Sequence, residues 1–153
     1  MAIAPRLLAA LLGASLAFAT VTAPAWARGT RRLEARATTT IWWLDADTPP
    51  PGSSKGDAIF GSDTLRHGGA LVGRSHWRLV YETPALAVLT ETAYLADGTI
   101  TCRGEVRAGA RRNSLRVVRG SGAYRGATGV CTTRAASSTA RGATLKRYEL
   151  VVR

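Results

Sequence analysis

Glu91 is the carboxylate best placed to do chemistry. Within the run Leu86–Leu95 it shares one face of an extended segment with Leu89, Ala93 and Leu95. Turned inward, such a carboxyl group is partly desolvated and serves as a general acid or base. Turned outward, it pairs with an arginine of a neighbouring strand. The opposite face carries Leu86, Val88, Thr90, Thr92 and Tyr94, so alternation leaves both orientations open. The two cysteines, Cys102 and Cys131, have neither zinc-site nor CxxC spacing. In an oxidising compartment the expectation is a disulfide, unless a strand lies flat between them and holds the Cα atoms beyond about 7 Å. His67 sits in a turn and His76 on a face shared with Arg74, Arg78 and Glu82, so the histidines suggest no metal site. No cofactor is implied. Gly120–Gly129 is glycine-rich but lacks the Lys-Ser/Thr ending and following helix of a phosphate loop, so its glycines read as turn residues.

The elements that must position these groups read as strands throughout. Asp97-Gly98 between two β-rich runs signals a tight hairpin. After it, Ile100, Cys102, Gly104 and Val106 alternate with Thr101, Arg103, Glu105 and Arg107, which puts Cys102 on the buried side of a strand. Further strands are expected over Arg36–Leu44, Asp57–Leu65, Ala70–Tyr81, Leu86–Leu95, Ser114–Arg119, Ala127–Arg134 and Ala143–Val152. The segment Asp45–Gly56, with three consecutive prolines, is a loop. Eight antiparallel strands joined by short connections can close into a barrel, which removes exposed edges and leaves room for one small ligand or for a filling of side chains.

The first 27 residues read as a secretory signal peptide: Arg6, an uncharged apolar run Leu7–Val21, and the small-x-small exit Ala25-Trp26-Ala27. Cleavage after Ala27 yields a secreted domain, with 28–35 as a flexible lead-in and 36–153 as the barrel. Formal charge is +11 over the chain. The excess lies in residues 103–153, which hold 12 basic and 2 acidic groups. Such a field attracts acidic polymers without implying specific nucleic-acid recognition, and it also simply keeps a protein soluble.

Three stretches, in order, resemble the bacterial relatives of the allene oxide cyclase and dirigent barrels. They are Pro51–Gly73, with Gly56-Asp57-Ala58-Ile59-Phe60; Tyr94–Ile100; and Val117–Gly129, with Gly120-Ser121-Gly122-Ala123-Tyr124-Arg125-Gly126-Ala127-Thr128-Gly129. The resemblance implies an all-β, eight-stranded antiparallel barrel of calycin type, often a homo-oligomer. It also implies ring closures or couplings of reactive, mostly apolar molecules. Where the plant cyclases carry a glutamate and an asparagine on the first strand, this chain has Thr40-Ile41-Trp42-Trp43-Leu44, and Thr128 stands where dirigent proteins carry an arginine.

In such a barrel Glu91 and Tyr81 are the candidate catalytic groups, and Trp42, Phe60, Trp77 and Tyr94 the candidate ligand-binding aromatics. Trp77, Leu79 and Tyr81 share one face of the third strand; ordinary core filling accounts for the same pattern. Three functions stay open: a secreted isomerase or cyclase, a non-catalytic barrel for a small apolar ligand, and a basic module that binds acidic polymers.

Overall fold

The computed structural model describes residues 29–49, 52–135 and 143–152. The expected leader lies outside them. Eight strands follow one another: β1 (Gly29–Ala46), β2 (Ala58–His67), β3 (Ala70–Thr83), β4 (Leu86–Leu95), β5 (Gly98–Arg107), β6 (Arg112–Gly120), β7 (Thr128–Ala135) and β8 (Ala143–Val152). Each pairs antiparallel with the next, and β8 returns to β1, closing the barrel.

The strands expected over Leu86–Leu95 and Ala143–Val152 have those bounds; β1 differs most from expectation. It begins at Gly29, so 29–35 form a ladder with β8 rather than a flexible lead-in. Closure requires this stagger. β1 pairs with β8 over Gly29–Thr38 and with β2 over Arg36–Ala46. Beyond Thr38, β1 and β2 continue as a ribbon with no partner on the β8 side among the described residues. A bulge at Thr40 resets the register there. Ile41, Trp42, Trp43 and Leu44 are therefore all exposed.

The core is the barrel interior, where alternate residues of the strands meet: Ala35 and Ala37 of β1, Leu65 of β2, Ala93 of β4, Ile100 and Cys102 of β5, Leu115 and Val117 of β6, Cys131 of β7, and Tyr148 and Leu150 of β8, with Val72 of β3 packed against them. Small residues at 35, 37 and 93 leave space near the axis. Two braces hold the ends. At one, the Asp57 carboxylate accepts from the Thr48 amide (2.6 Å) and hydroxyl (2.7 Å) and from the Ser54 amide (2.7 Å) and hydroxyl (3.1 Å). At the other, the glycine-rich segment folds as a 3-10 turn, Gly122–Tyr124, against the β4–β5 hairpin. The Ala123 amide donates to the Asp97 carbonyl (2.8 Å) and the Ser121 amide to the Thr99 carbonyl (3.0 Å). Gly122 takes φ 58°, and a Cβ there would meet the Asp97 oxygen at 2.3 Å.

Candidate functional site

Glu91 points inward and is 1% exposed. Its partner is a lysine from the last strand, not a surface arginine. Lys146 Nζ donates to Glu91 Oε1 (2.6 Å), Asp63 Oδ2 (2.5 Å) and Ser75 Oγ (3.1 Å). The Trp77 indole N–H donates to Asp63 Oδ1 (2.9 Å), and the Tyr148 hydroxyl donates to Glu91 Oε1 (3.2 Å). Register explains the gathering. Asp63 lies opposite Ser75, Ser75 opposite Ala93, and Trp77 opposite Glu91, while Lys146 and Tyr148 are successive inward positions of β8.

One cation thus sits between two carboxyl groups in a water-poor interior. Burial opposes the Lys146 charge, but the attraction of Glu91 and Asp63 and their hydrogen bonds raise its pKa. Burial likewise opposes the Asp63 charge, yet Lys146 and the donated hydrogen bonds hold its pKa below the usual value. Burial and the neighbouring Glu91 push the Tyr148 hydroxyl well up, so it stays a donor. Glu91 Oε2 alone is buried with no hydrogen-bond partner among the described residues. Leaving such an oxygen unsatisfied costs about 1–3 kcal/mol or more for a charged group.

A cavity of about 200 Å³ opens beside this cluster, lined by Thr39, Asp63, Trp77, Leu79, Leu89, Glu91, Thr133, Thr144 and Lys146. It lies toward the end of the barrel that carries the β1–β2 and β3–β4 connections. Gly61 makes room for its wall, since a Cβ there would lie 2.0 Å from Trp77 Cζ2. The arrangement can bind a small, mainly apolar molecule and take a hydrogen bond or proton from it at the Glu91 carboxyl group. Lys146 offers no amine nucleophile, because all three of its protons are engaged.

The other expected residues scatter. Trp77 lines the cavity. Trp42 is 66% exposed on the ribbon, and Phe60 stacks on Trp43 (centroids 5.6 Å apart) with Arg78 5.4 Å from its ring, both outside. Tyr94 is 49% exposed and meets His76 edge-on at 5.3 Å. These three fall outside because each takes the outward phase of its strand or lies beyond the closed part of the barrel. Tyr81 is half-buried and absent from the cavity wall; its backbone anchors the β1–β2 loop through Gly56 and Asp57. Cys102 and Cys131 are buried free thiols rather than the expected disulfide. β6 runs between them: Val117 faces Cys102 and Leu115 faces Cys131. A hydrogen bond with Cys102 and burial push the Cys131 thiol far up.

Lys146, Asp63 and Ser75 were not among the residues expected from the sequence; Tyr148 was one of several aromatic candidates, without the bond to Glu91. The signal was present in β8, where Lys146 falls in the same phase as Tyr148, Leu150 and Val152.

Residues 37–144 match the family model described as the allene oxide cyclase barrel like domain. No curated protein sequence matches the chain. Among solved structures, a pyocyanin demethylase superposes with TM-score 0.70 at 18% identity, over 79% of this chain and all of that one. The Diels–Alderase AbmU from Streptomyces koyangensis gives TM-score 0.67 at 16% identity, over 82% of this chain and 69% of that one. The pterocarpan synthase dirigent protein PsPTS1 gives 0.62 at 16% identity, over 80% and 94%. At these identities the likeness is one of fold.

Proposed function

The chain belongs to the allene oxide cyclase barrel-like family, and on that premise we propose that it holds a small apolar molecule in the Glu91 cavity and promotes its cyclisation or isomerisation. The observation that carries this reading is Glu91, a residue of the cavity wall whose carboxylate oxygen Oε2 is buried with no partner among the described residues. A ligand hydroxyl, enol or phenol supplies the missing donor. The indole of Trp77 and the side chains of Leu79 and Leu89 shape the molecule, and holding a reactive chain in a folded form lowers the barrier by several kcal/mol. Lys146, fixed 2.6 Å from Glu91 Oε1, stabilises the carboxylate form when the proton leaves. The fold relatives named as a demethylase, a Diels–Alderase and a pterocarpan synthase act on small organic molecules, which agrees with this use of the barrel.

Native mass spectrometry of the purified protein tests the reading. The expected result is a retained apolar molecule that carries a hydrogen-bond donor and is converted on incubation. Binding without conversion makes the protein a carrier, and a retained molecule with no donor contradicts the role given to Glu91. We further propose that residues 1–27 direct export, so that the chain found in the medium begins at Arg28.

A second reading, affinity for acidic polymers, rests on like-charged neighbours. Arg103 lies directly opposite Arg116, and Arg112 opposite Arg134, all exposed. Such pairs destabilise a ladder unless an anion lies between them. Binding through them weakens steeply with salt, whereas cavity binding does not.

A further inference from the structure

The barrel has a second cavity at its other end, larger than the one beside Glu91. It occupies about 440 Å³, where the β2–β3 turn, the β4–β5 turn and the glycine-rich segment converge on the first residues of β1. Leu33, Leu71, Val72, Leu95 and the rings of Tyr124 and Tyr148 form its walls. That volume falls in the range of small-molecule sites, about 300–1,000 Å³. β1 begins seven residues before its pairing with β2, at Gly29 against Arg36, so on the β2 side this edge of the mouth has no ladder among the described residues, while β8 pairs it on the other side. Tyr148 separates the two cavities. Its ring faces the larger one, while its hydroxyl is spent on Glu91 at 3.2 Å.

The polar groups at this mouth define a headgroup. Tyr124 is only 4% exposed, and burial and the nearby Asp97 raise the pKa of its hydroxyl, so it keeps its proton and can donate it. His67 Nδ1 lies 2.8 Å from the Glu34 carbonyl oxygen and donates to it, so in the neutral ring Nε2 is the acceptor. The charged residues at the rim are balanced: Arg32 pairs with Glu149 at 3.2 Å, Arg147 with Glu34 at 2.8 Å, and Arg31 and Asp97 act in opposite senses on the Tyr124 hydroxyl. A donor and an acceptor without net positive charge suit a neutral hydroxyl, not an anion.

We propose that this mouth is a second ligand site, which takes a neutral apolar molecule through a hydroxyl headgroup placed at Tyr124. The site shares no function with Glu91 and stands whether or not the smaller cavity is catalytic.

The test uses 4-phenylphenol and methyl NMR of the whole protein. Saturation is expected to shift the methyls of Leu33, Leu71, Val72 and Leu95. Leu71→Arg, at an exposed rim position that folding tolerates, is expected to weaken binding about tenfold or more. Tyr124→Phe is expected to weaken it roughly three- to tenfold while the shift pattern persists. Shifts confined to Leu79 and Leu89, no shifts at all, or an unchanged affinity in Leu71→Arg would each overturn the proposal.

Discussion

Lys146 donates all three of its protons to acceptors inside the barrel, which makes it a fixed positive charge rather than a reagent. Its removal leaves Asp63 and Glu91 facing each other without compensation. Lys146→Met is therefore expected to destabilise the barrel by about 3–5 kcal/mol, read from denaturant unfolding. Asp57 makes a different prediction. Backbone and hydroxyl donors from Ser54 and Thr48 lower its pKa from 3.8 to about 2. A lowered folded value means the brace contributes fully above the ordinary carboxylate range and is lost as pH falls toward 2. Hydrogen exchange in the β1–β2 loop should rise over that interval, and Asp57→Asn should remove this pH dependence. At Glu91 the sequence showed a carboxylate on an apolar face but could not say which face was interior. Two equally apolar faces of one strand carry no information on that point; the lysine that decides it lies 55 residues further along.

The strands were legible where polar and apolar residues alternate, as in β5, or where a turn is written in the sequence, as at Asp97-Gly98. The closing ladder between β1 and β8 was not, because Gly29–Ala35 reads as polar lead-in until β8 supplies its partner. The exposed aromatics misled for the same reason. Trp42 and Phe60 have the ring chemistry of cavity residues, but the bulge at Thr40 and the end of the β8 ladder put Trp42 beyond the closed part of the barrel, and Phe60 takes the outward phase of β2. One glycine carries a prediction at this scale. Gly61→Ala sets a methyl against Trp77, so the indole must shift and its 2.9 Å bond to Asp63 must lengthen or break. A loss of about 1–3 kcal/mol with altered near-ultraviolet circular dichroism is expected.

Over the whole molecule, polar groups gather at the centre of a closed sheet, with a cavity on either side of the Tyr148–Glu91 contact. The basic excess lies on the outer surface, where Arg103, Arg116, Arg112 and Arg134 face solvent. If residues 1–27 direct export as proposed, an intact mass of the chain from the medium corresponds to a start at Arg28, and with Cys102 and Cys131 as free thiols it shows no two-hydrogen loss. The role proposed for Glu91 is to take a hydrogen bond or proton from a ligand at its unpartnered carboxylate oxygen. Its most direct test compares 2-naphthol with 2-methylnaphthalene, two probes of similar shape, in the protein and in Glu91→Gln. Lys146 and Tyr148 both require an acceptor at the Oε1 position, so the amide of the variant must turn its NH2 toward the cavity. 2-Naphthol is expected to bind beside Leu79 and Leu89 about ten- to hundredfold more tightly than 2-methylnaphthalene, and Glu91→Gln is expected to abolish this preference. Equal affinity for the two probes, or a preference that survives in Glu91→Gln, would contradict it.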